Sequence, residues 1–188
     1  KGLCYDSGGL FLKPGDSMVG MKSDMAGSAA VIGAMCAIAM NKLPVNVIAV
    51  IAACENLVDG AGYKNGDIIR TMDGKTVFVG STDAEGRMTL ADAITYMIQN
   101  ESVDSIIELS TLTGSCANFF QNICCGVVTT DDALYQKLSN ASECSDEKFW
   151  RLPVYEEYRE LIKNDIADLT NTSTGGAGGI TAGLFLDE

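Results

Sequence analysis

The residues best suited to chemistry lie in one short stretch, Ser81 to Arg87, where Asp83, Glu85 and Arg87 are spaced two apart. In extended backbone this spacing points the three side chains to one side. Two neighbouring carboxylates repel each other unless a positive charge lies between them, and a divalent cation is the usual solution. The guanidinium can hold an anion beside that cation. A solvated loop with alternating charges explains the same pattern.

The composition excludes several other kinds of site. The 188 residues include no histidine, which removes Ser-His-Asp, Cys-His and His-ligated zinc chemistry. The net charge of -12 repels phosphate backbones, so we expect no nucleic-acid partner. Seven cysteines without a C-x-x-C pair predict reduced core residues in a cytoplasmic protein.

The elements that must position these residues alternate between strands and helices. Buried strands are predicted at 2–5, 45–54, 103–109 and 125–129, and helices at 25–40, 88–99, 132–138, 155–164 and 180–188. Residues 68–72 and 75–79 predict a hairpin, because Asp73-Gly74 favours a type I′ turn. The pattern predicts an α/β three-layer sandwich with a mixed, largely parallel sheet flanked by helices.

The apolar run 25–40 also fits a membrane helix in composition. It has roughly 16 residues against the ~20 that a bilayer needs, and it is rich in Ala and Gly rather than Leu. We therefore predict a buried helix and no membrane partner.

Several polar side chains follow predicted strand ends, where open α/β sheets bind ligands. Asp6, Asp83 and Thr111 each lie just beyond a strand, and we place Asp24 and Glu85 on the same rim. Four carboxylates at one rim require cations, and two divalent ions would neutralise them and activate water. The residues alone thus support a two-metal hydrolase as a hypothesis, with Mg, Mn or Zn in an oxygen-rich site.

Six motifs, in order along the chain, resemble those of the leucine aminopeptidase or cytosol aminopeptidase family (peptidase family M17). They are K-G-L-C-Y-D-S-G-G at 1–9 followed by Lys13-Pro14, M-V-G-M-K-S-D-M-A-G at 18–27, T-D-A-E-G-R at 82–87, S-T-L-T-G at 110–114, F-W-R-L-P at 149–153, and D-I-A-D-L at 165–169 before a Gly-rich run and I-T-A at 180–182. Ser81 and Met88 replace the Asn and Leu that flank the third motif in the family.

The resemblance implies a role for each matched residue. It implies that two divalent ions, Mn or Zn, are bound by Lys1, Asp6, Asp24, Asp83 and Glu85. Lys13 corresponds to the catalytic lysine that polarises the scissile carbonyl, and Arg87 to the arginine that holds a bicarbonate acting as general base. Asp24 would lie where one metal meets the substrate's α-amine.

The remaining substrate contacts implied by the resemblance are Met21, Thr111 and Leu112, which would line the pocket for the first residue. Outside the motifs these residues have plainer interpretations. Met21 would be a core filler, Thr111 a capping hydroxyl, and Lys1 a frayed chain end.

The family is a set of metal-dependent aminopeptidases that release N-terminal residues, leucine and similar ones, from peptides by a two-metal-activated hydroxide. Relatives are cytoplasmic homohexamers, so the resemblance implies peptide substrates and a hexamer. It also implies that 1–188 is a C-terminal catalytic domain, truncated at both ends and without the N-terminal domain. The alternative is a non-catalytic homologue that acts as a binding or scaffold protein.

Overall fold

Strands and helices alternate along the whole chain in the computed structural model, which describes residues 1–188. The strands are β1 (Gly2–Asp6), β2 (Ala53–Asn56), β3 (Ile68–Arg70), β4 (Thr76–Phe78), β5 (Cys125–Val127), β6 (Phe149–Arg151) and β7 (Leu169–Thr170). The helices are α1 (Gly15–Met18), α2 (Ala26–Met40), α3 (Glu85–Asn100), α4 (Gly114–Phe120), α5 (Asp132–Ser145), α6 (Glu156–Glu160) and α7 (Gly178–Asp187), with a 3-10 turn at Met21–Ser23.

Strand pairing is mixed and largely parallel. The pairs β1–β2, β4–β7 and β5–β6 are parallel, and only β3–β4 is antiparallel. These pairs form three small sheets with helices packed around them. The α/β class predicted from the sequence is confirmed. The parallel β1–β2 pair matters most for the site, because its register sets Asp6 opposite Asn56 at the carboxyl ends of both strands.

Two predicted buried strands are wrong. In place of the strand predicted at 45–54, the structure has a short strand at residues 53–56, and Val45 and Val47 are exposed. Residues 103–109 form no strand, and Ile107 is 61% exposed. β-Branched residues fit a pleated surface, but a strand also needs a neighbour to complete its hydrogen bonds. Residues 45–52 and 103–109 are not part of any sheet within these residues.

Helix α2 is present as predicted, but the prediction that it is buried is wrong. Only Gly27 and Ser28 are buried, while Ile32 and Met40 are largely exposed. Its first turn is the part that packs, because a Cβ on Gly27 would lie 2.0 Å from the carbonyl oxygen of Leu109.

Eighteen consecutive residues within Gly15–Met40 have a mean hydropathy of 1.5, so the segment passes a test of length and composition for a membrane span. Its longest uninterrupted helix has 15 residues, which at about 1.5 Å per residue gives about 22 Å, short of the ~30 Å hydrocarbon core. This is weak evidence for a membrane helix.

The hairpin β3–β4 forms as predicted, but its turn is different. Thr71 accepts a hydrogen bond from the Gly74 N–H (2.9 Å) and donates its own N–H to Lys75 (2.9 Å). Gly74 has a positive φ of 96° and Asp73 does not. A type I′ turn needs both, so the loop is a type I turn closed by a left-handed glycine.

The hydrophobic core gathers β4, β7, α7 and the segment after α6. Its buried members are Val77, Ile162, Leu169, Ile180, Leu184 and Phe185.

All seven cysteines are free thiols, but none is buried, so their predicted place in the core is wrong. Helix α5 runs to Ser145, beyond the predicted end at 138, and α6 ends at Glu160 rather than 164.

Candidate metal centre

The stretch from Ser81 to Arg87 changes from loop to helix at Glu85. Helix α3 begins there, so Glu85 and Arg87 lie in its first turn and only Asp83 precedes it. The predicted extended geometry is therefore wrong: the carboxylates meet because the chain turns into a helix. A carboxylate suits this position, since helix N-termini carry positive partial charge. One oxygen each from Asp6, Asp83 and Glu85 lies within 4.8 Å of the others.

Asp6 is brought to this cluster by the end of β1. Its Oδ1 accepts hydrogen bonds from the Gly8 N–H (2.9 Å) and the Asn56 side-chain amide (2.8 Å). The tight turn that follows needs Gly8, which has φ of 87° and whose Cβ would come within 2.3 Å of the Phe11 carbonyl. The Asp6 Oδ2 is left to face the cluster.

Each lysine of the first motif lies between two carboxylates. Lys1 Nζ is 2.8 Å from Asp24 Oδ2 and 2.7 Å from Glu85 Oε1, and the side chain is buried. Lys13 Nζ is 2.8 Å from Asp6 Oδ2 and 2.5 Å from Asp83 Oδ1. All four predicted acidic ligands thus converge, pairwise, on a positive centre.

A missing side chain makes room for Lys1. A Cβ on Gly86 would lie 2.6 to 2.8 Å from the last three atoms of the Lys1 side chain. Any other residue there would push Lys1 away from Glu85. The backbone of Lys1 is also fixed, with its nitrogen 2.7 Å from the Leu109 carbonyl and its carbonyl accepting the Ser28 hydroxyl at 2.7 Å.

Burial dominates the electrostatics of the cluster. It raises the pKa of Glu85 to about 7 against the attraction of Lys1, and it raises the pKa of Asp83 against the hydrogen bond from Lys13. Burial works to lower the pKa of Lys1 and of Lys13, but the flanking carboxylates outweigh it and raise both. The site therefore favours bound positive charge.

The donor set fits divalent cations. Asp24 Oδ2, Asp83 Oδ1 and Glu85 Oε1 are buried and face only a lysine ammonium, and the buried Glu85 Oε2 has no partner. Buried carboxylate oxygens without donors are costly unless they coordinate or pair with a cation. Carboxylates with one amine nitrogen suit Mn or Zn.

Arg87 lies beside the cluster with unused donors. It is 7% exposed, and its Nε and Nη1 have no acceptor. Its guanidinium lies over the Phe185 ring, 5.9 Å from the centroid, and burial lowers its pKa to about 10. A buried guanidinium with free N–H groups can bind a small anion.

The residues predicted to contact substrate are near Asp24 to different degrees. Thr111 donates its hydroxyl to Asp24 Oδ1 at 3.0 Å, so it does not cap α4, a role that Thr113 fills. Leu112 follows directly and is half-buried. Met21 is half-buried in the 3-10 turn, and its carbonyl accepts the Asp24 N–H at 3.2 Å.

Four polar residues of the site were not predicted from the sequence: Asn56, Tyr63, Thr82 and Asn171. Thr82 is fully buried; its hydroxyl donates to the Gly8 carbonyl (2.6 Å) and accepts from the Phe11 N–H (2.8 Å). The Tyr63 hydroxyl donates to the Thr82 carbonyl at 3.1 Å. Thr82 belongs to the T-D-A-E-G-R motif at 82–87, but Asn56, Tyr63 and Asn171 lie outside all six motifs and carry no local signal of a functional role.

Asn171 clamps the ligand-bearing segment from the other side. It is fully buried just after β7. Its Oδ1 accepts from the Gly80 and Ser81 N–H groups (2.8 and 3.2 Å), and its amide donates to the Ser81 and Ala84 carbonyls (2.7 and 3.3 Å). One side chain thus satisfies four backbone groups of the loop before α3.

Fold and site together define an α/β domain with a carboxylate-rich centre that could hold a metal ion. The chain belongs to the cytosol aminopeptidase family: residues 1–188 match that family's catalytic domain. The chain is 54% identical over 188 residues to a probable cytosol aminopeptidase of Clostridium tetani (strain Massachusetts / E88) and 52% identical to one of Alkaliphilus oremlandii (strain OhILAs). It is covered fully in both cases but spans only 39% and 38% of those relatives.

Solved structures show the same fold. The bottromycin maturation enzyme BotP superposes with a TM-score of 0.87 at 35% identity, over 99% of this chain and 40% of that one. The same enzyme in complex with Mn gives a TM-score of 0.90 at 34% identity, over 99% and 41% of the two chains.

Proposed function

We propose that the full-length protein is a metal-dependent aminopeptidase that releases N-terminal residues such as leucine from peptides. The observation that carries the proposal is the convergence of Asp6, Asp83 and Glu85 oxygens within 4.8 Å, with buried Asp24 joined to Glu85 through Lys1. Membership of the cytosol aminopeptidase family supports it.

Lys1, Asp6, Asp24, Asp83 and Glu85 are the proposed ligands of two divalent ions, Mn or Zn. The Mn complex of a structural neighbour favours Mn. When bound, such a pair supplies a nucleophilic hydroxide near neutral pH and polarises the carbonyl under attack. The protein's part is to hold the five donors in place and to keep the centre partly dry.

Two basic residues have proposed roles in the reaction itself. The Lys13 ammonium lies 2.8 Å from Asp6 and 2.5 Å from Asp83, so it stands beside the proposed metal site. From there it would stabilise the negative oxygen that develops on the scissile carbonyl. Arg87 would hold a bicarbonate through its unused Nε and Nη1, and the bound anion would supply a general base for the attacking water.

Selectivity for a free N-terminus is proposed at Asp24, where one metal would meet the substrate's α-amine; Thr111 already orients the Asp24 carboxylate. Thr111, Leu112 and Met21 are proposed to line the first-residue pocket.

The remaining proposals are a cytoplasmic location, matching the names of the relatives, and a homohexamer. Light scattering on the full-length protein tests the hexamer, and a fully active monomer contradicts it.

The function is tested on full-length protein stripped of metal with a chelator and then supplied with Mn²⁺ or Zn²⁺. Hydrolysis of a chromogenic leucyl anilide is expected only after metal is restored, and none of the N-acetylated anilide. Asp83→Ala should lower the bound metal from two ions per chain to one and abolish hydrolysis. Asp104→Ala is the matched control, because Asp104 is exposed and unpaired. Unchanged activity after exhaustive chelation would falsify the metal-dependent mechanism, whereas no hydrolysis with either metal would leave a binding or scaffold role.

A further inference from the structure

The Asn56 side chain connects two of the three segments that carry the proposed ligands, the one ending at Asp6 and the one containing Asp83 and Glu85. It is the last residue of β2, paired in register with Asp6, and it is 6% exposed. Its amide nitrogen donates one hydrogen bond to Asp6 Oδ1 (2.8 Å) and another to the Thr82 carbonyl (2.9 Å). Both hydrogens of one NH₂ group are therefore used, one for each segment.

The surroundings of Asn56 leave its amide little freedom. Its carbonyl accepts the Ser7 N–H and the Ser7 hydroxyl, both at 2.8 Å, which ties its backbone to β1. On the other side a Cβ at Gly9 would lie 2.9 Å from Asn56 Oδ1. The side chain is thus fixed by its own backbone and by the glycine turn that follows Asp6.

We infer that Asn56 is a positioning residue that sets the orientation of the Asp6 carboxylate and its distance from the Asp83–Glu85 segment. The inference rests on the proposed function and deepens it. With Oδ1 of Asp6 engaged by Gly8 and Asn56, Oδ2 is turned toward Lys13 and the cluster. Since Asp6 and Glu85 belong to different segments, Asn56 controls how far apart their oxygens lie.

Charged contacts do not make Asn56 redundant. Lys13 also touches both segments, through Asp6 and Asp83, but its contacts run through the ligand oxygens themselves. A cation bound there competes for those oxygens, whereas Asn56 bonds to Asp6 Oδ1 and a backbone carbonyl behind the site. Partners of this kind typically change metal affinity 10- to 100-fold when removed.

The test uses two variants of the full-length protein. Asn56→Leu keeps the volume and removes both donors, and Asn56→Ser keeps one short donor in case the leucine variant does not fold. Asn100→Leu is the control, because exposed Asn100 makes a similar amide bond, to Tyr96, far along α3. Mn²⁺ affinity is measured by titration of the free-ion electron paramagnetic resonance signal, below the thermal midpoint of each variant.

We expect the Mn²⁺ affinity of at least one site to fall at least tenfold in Asn56→Leu and severalfold in Asn56→Ser, with Asn100→Leu unchanged. At saturating Mn²⁺, kcat should fall more than KM rises. A lower thermal midpoint with wild-type Mn²⁺ affinity in a folded variant would mean that Asn56 is merely structural and would overturn the inference. If wild-type protein binds neither Mn²⁺ nor Zn²⁺, the proposed function fails instead, so the two failures are distinguishable.

Discussion

The guanidinium of Arg87 lies over the ring of Phe185, 5.9 Å from its centroid, and this contact joins the first turn of α3 to α7. Phe185 is 3% exposed and belongs to the main hydrophobic core. The proposed anion site is therefore supported from the core, by a residue distant in sequence.

Removing the arginine should separate turnover from metal binding. In Arg87→Ala we expect two Mn²⁺ ions per chain, as in wild type, but a kcat reduced about 100-fold and no stimulation by added bicarbonate. Metal analysis and leucyl anilide kinetics across a bicarbonate series check this. Loss of metal in the variant would instead assign Arg87 to the metal centre.

Removing the ring beneath the arginine should weaken the anion site without abolishing it. For Phe185→Leu we expect half-maximal stimulation at about fivefold higher bicarbonate, corresponding to a cation–π contact of about 1 kcal/mol. Phe119→Leu serves as the control, because that ring is 77% exposed. An unchanged bicarbonate response in a folded Phe185→Leu protein would show that Arg87 is held by other contacts.

The hydroxyl of Thr111 should matter through Asp24. Thr111→Val removes the 3.0 Å hydrogen bond to Asp24 Oδ1, and we expect Mn²⁺ affinity at that site to fall about fivefold, for a bond worth about 1 kcal/mol. Thr111→Ser keeps the hydroxyl and should restore the affinity. Equal affinities in the valine and serine variants would exclude this role.

Asn171→Ala should loosen the loop before α3. Four backbone groups lose their partners, so we expect a destabilisation of about 2–4 kcal/mol and faster hydrogen exchange at the Gly80 and Ser81 amides. Exchange mass spectrometry of peptides covering 79–86 measures the local effect. Asn140→Ala, at an exposed helical position, should leave that peptide unchanged.

The hairpin loop should lose stability in acid. Burial opposes ionisation of Asp73, but hydrogen bonds from Lys75 and Thr71 outweigh it and lower its pKa to about 2 from 3.8. The folded state therefore binds this proton less readily than the unfolded state. The stabilisation is complete above pH 4 and disappears as the pH falls toward 2.

Because the Asp73–Lys75 ion pair is partly screened by solvent, its contribution to the free energy of unfolding should be about 1 kcal/mol or less. Thermal unfolding of wild-type protein and Asp73→Asn between pH 2 and 6 checks it. The difference between the two proteins should shrink as the pH falls through this window, and a constant difference would refute the assignment.

The sequence predicted which charged side chains come together better than it predicted the elements that hold them. Motif matches select Lys1, Asp6 and Asp24 because their types and spacing resemble the family's, and the structure brings these side chains into ion pairs at one site. The strand prediction for 45–54 failed because apolar, β-branched composition does not report whether a neighbouring strand is available. The start of α3 was placed at Met88, since the polar first turn from Glu85 carries no helical periodicity.

Asn56 could not be predicted, because its importance depends on register. Nothing in its local sequence indicates chemistry, and only the pairing of β2 with β1 brings it beside Asp6. Asn171 was missed for the same reason: its four hydrogen bonds reach a loop some 90 residues earlier. Long-range pairings of uncharged side chains leave little pattern in a single sequence.

The hydrogen bond from Thr82 to the Gly8 carbonyl closes a separation of 74 residues. Closing so long a loop costs chain entropy before any contact repays it, so we expect this part of the fold to form late. Until then Asp6 and Glu85 would lie on independent segments. A metal site that needs both residues, as proposed here, would then be completed only when the two segments meet.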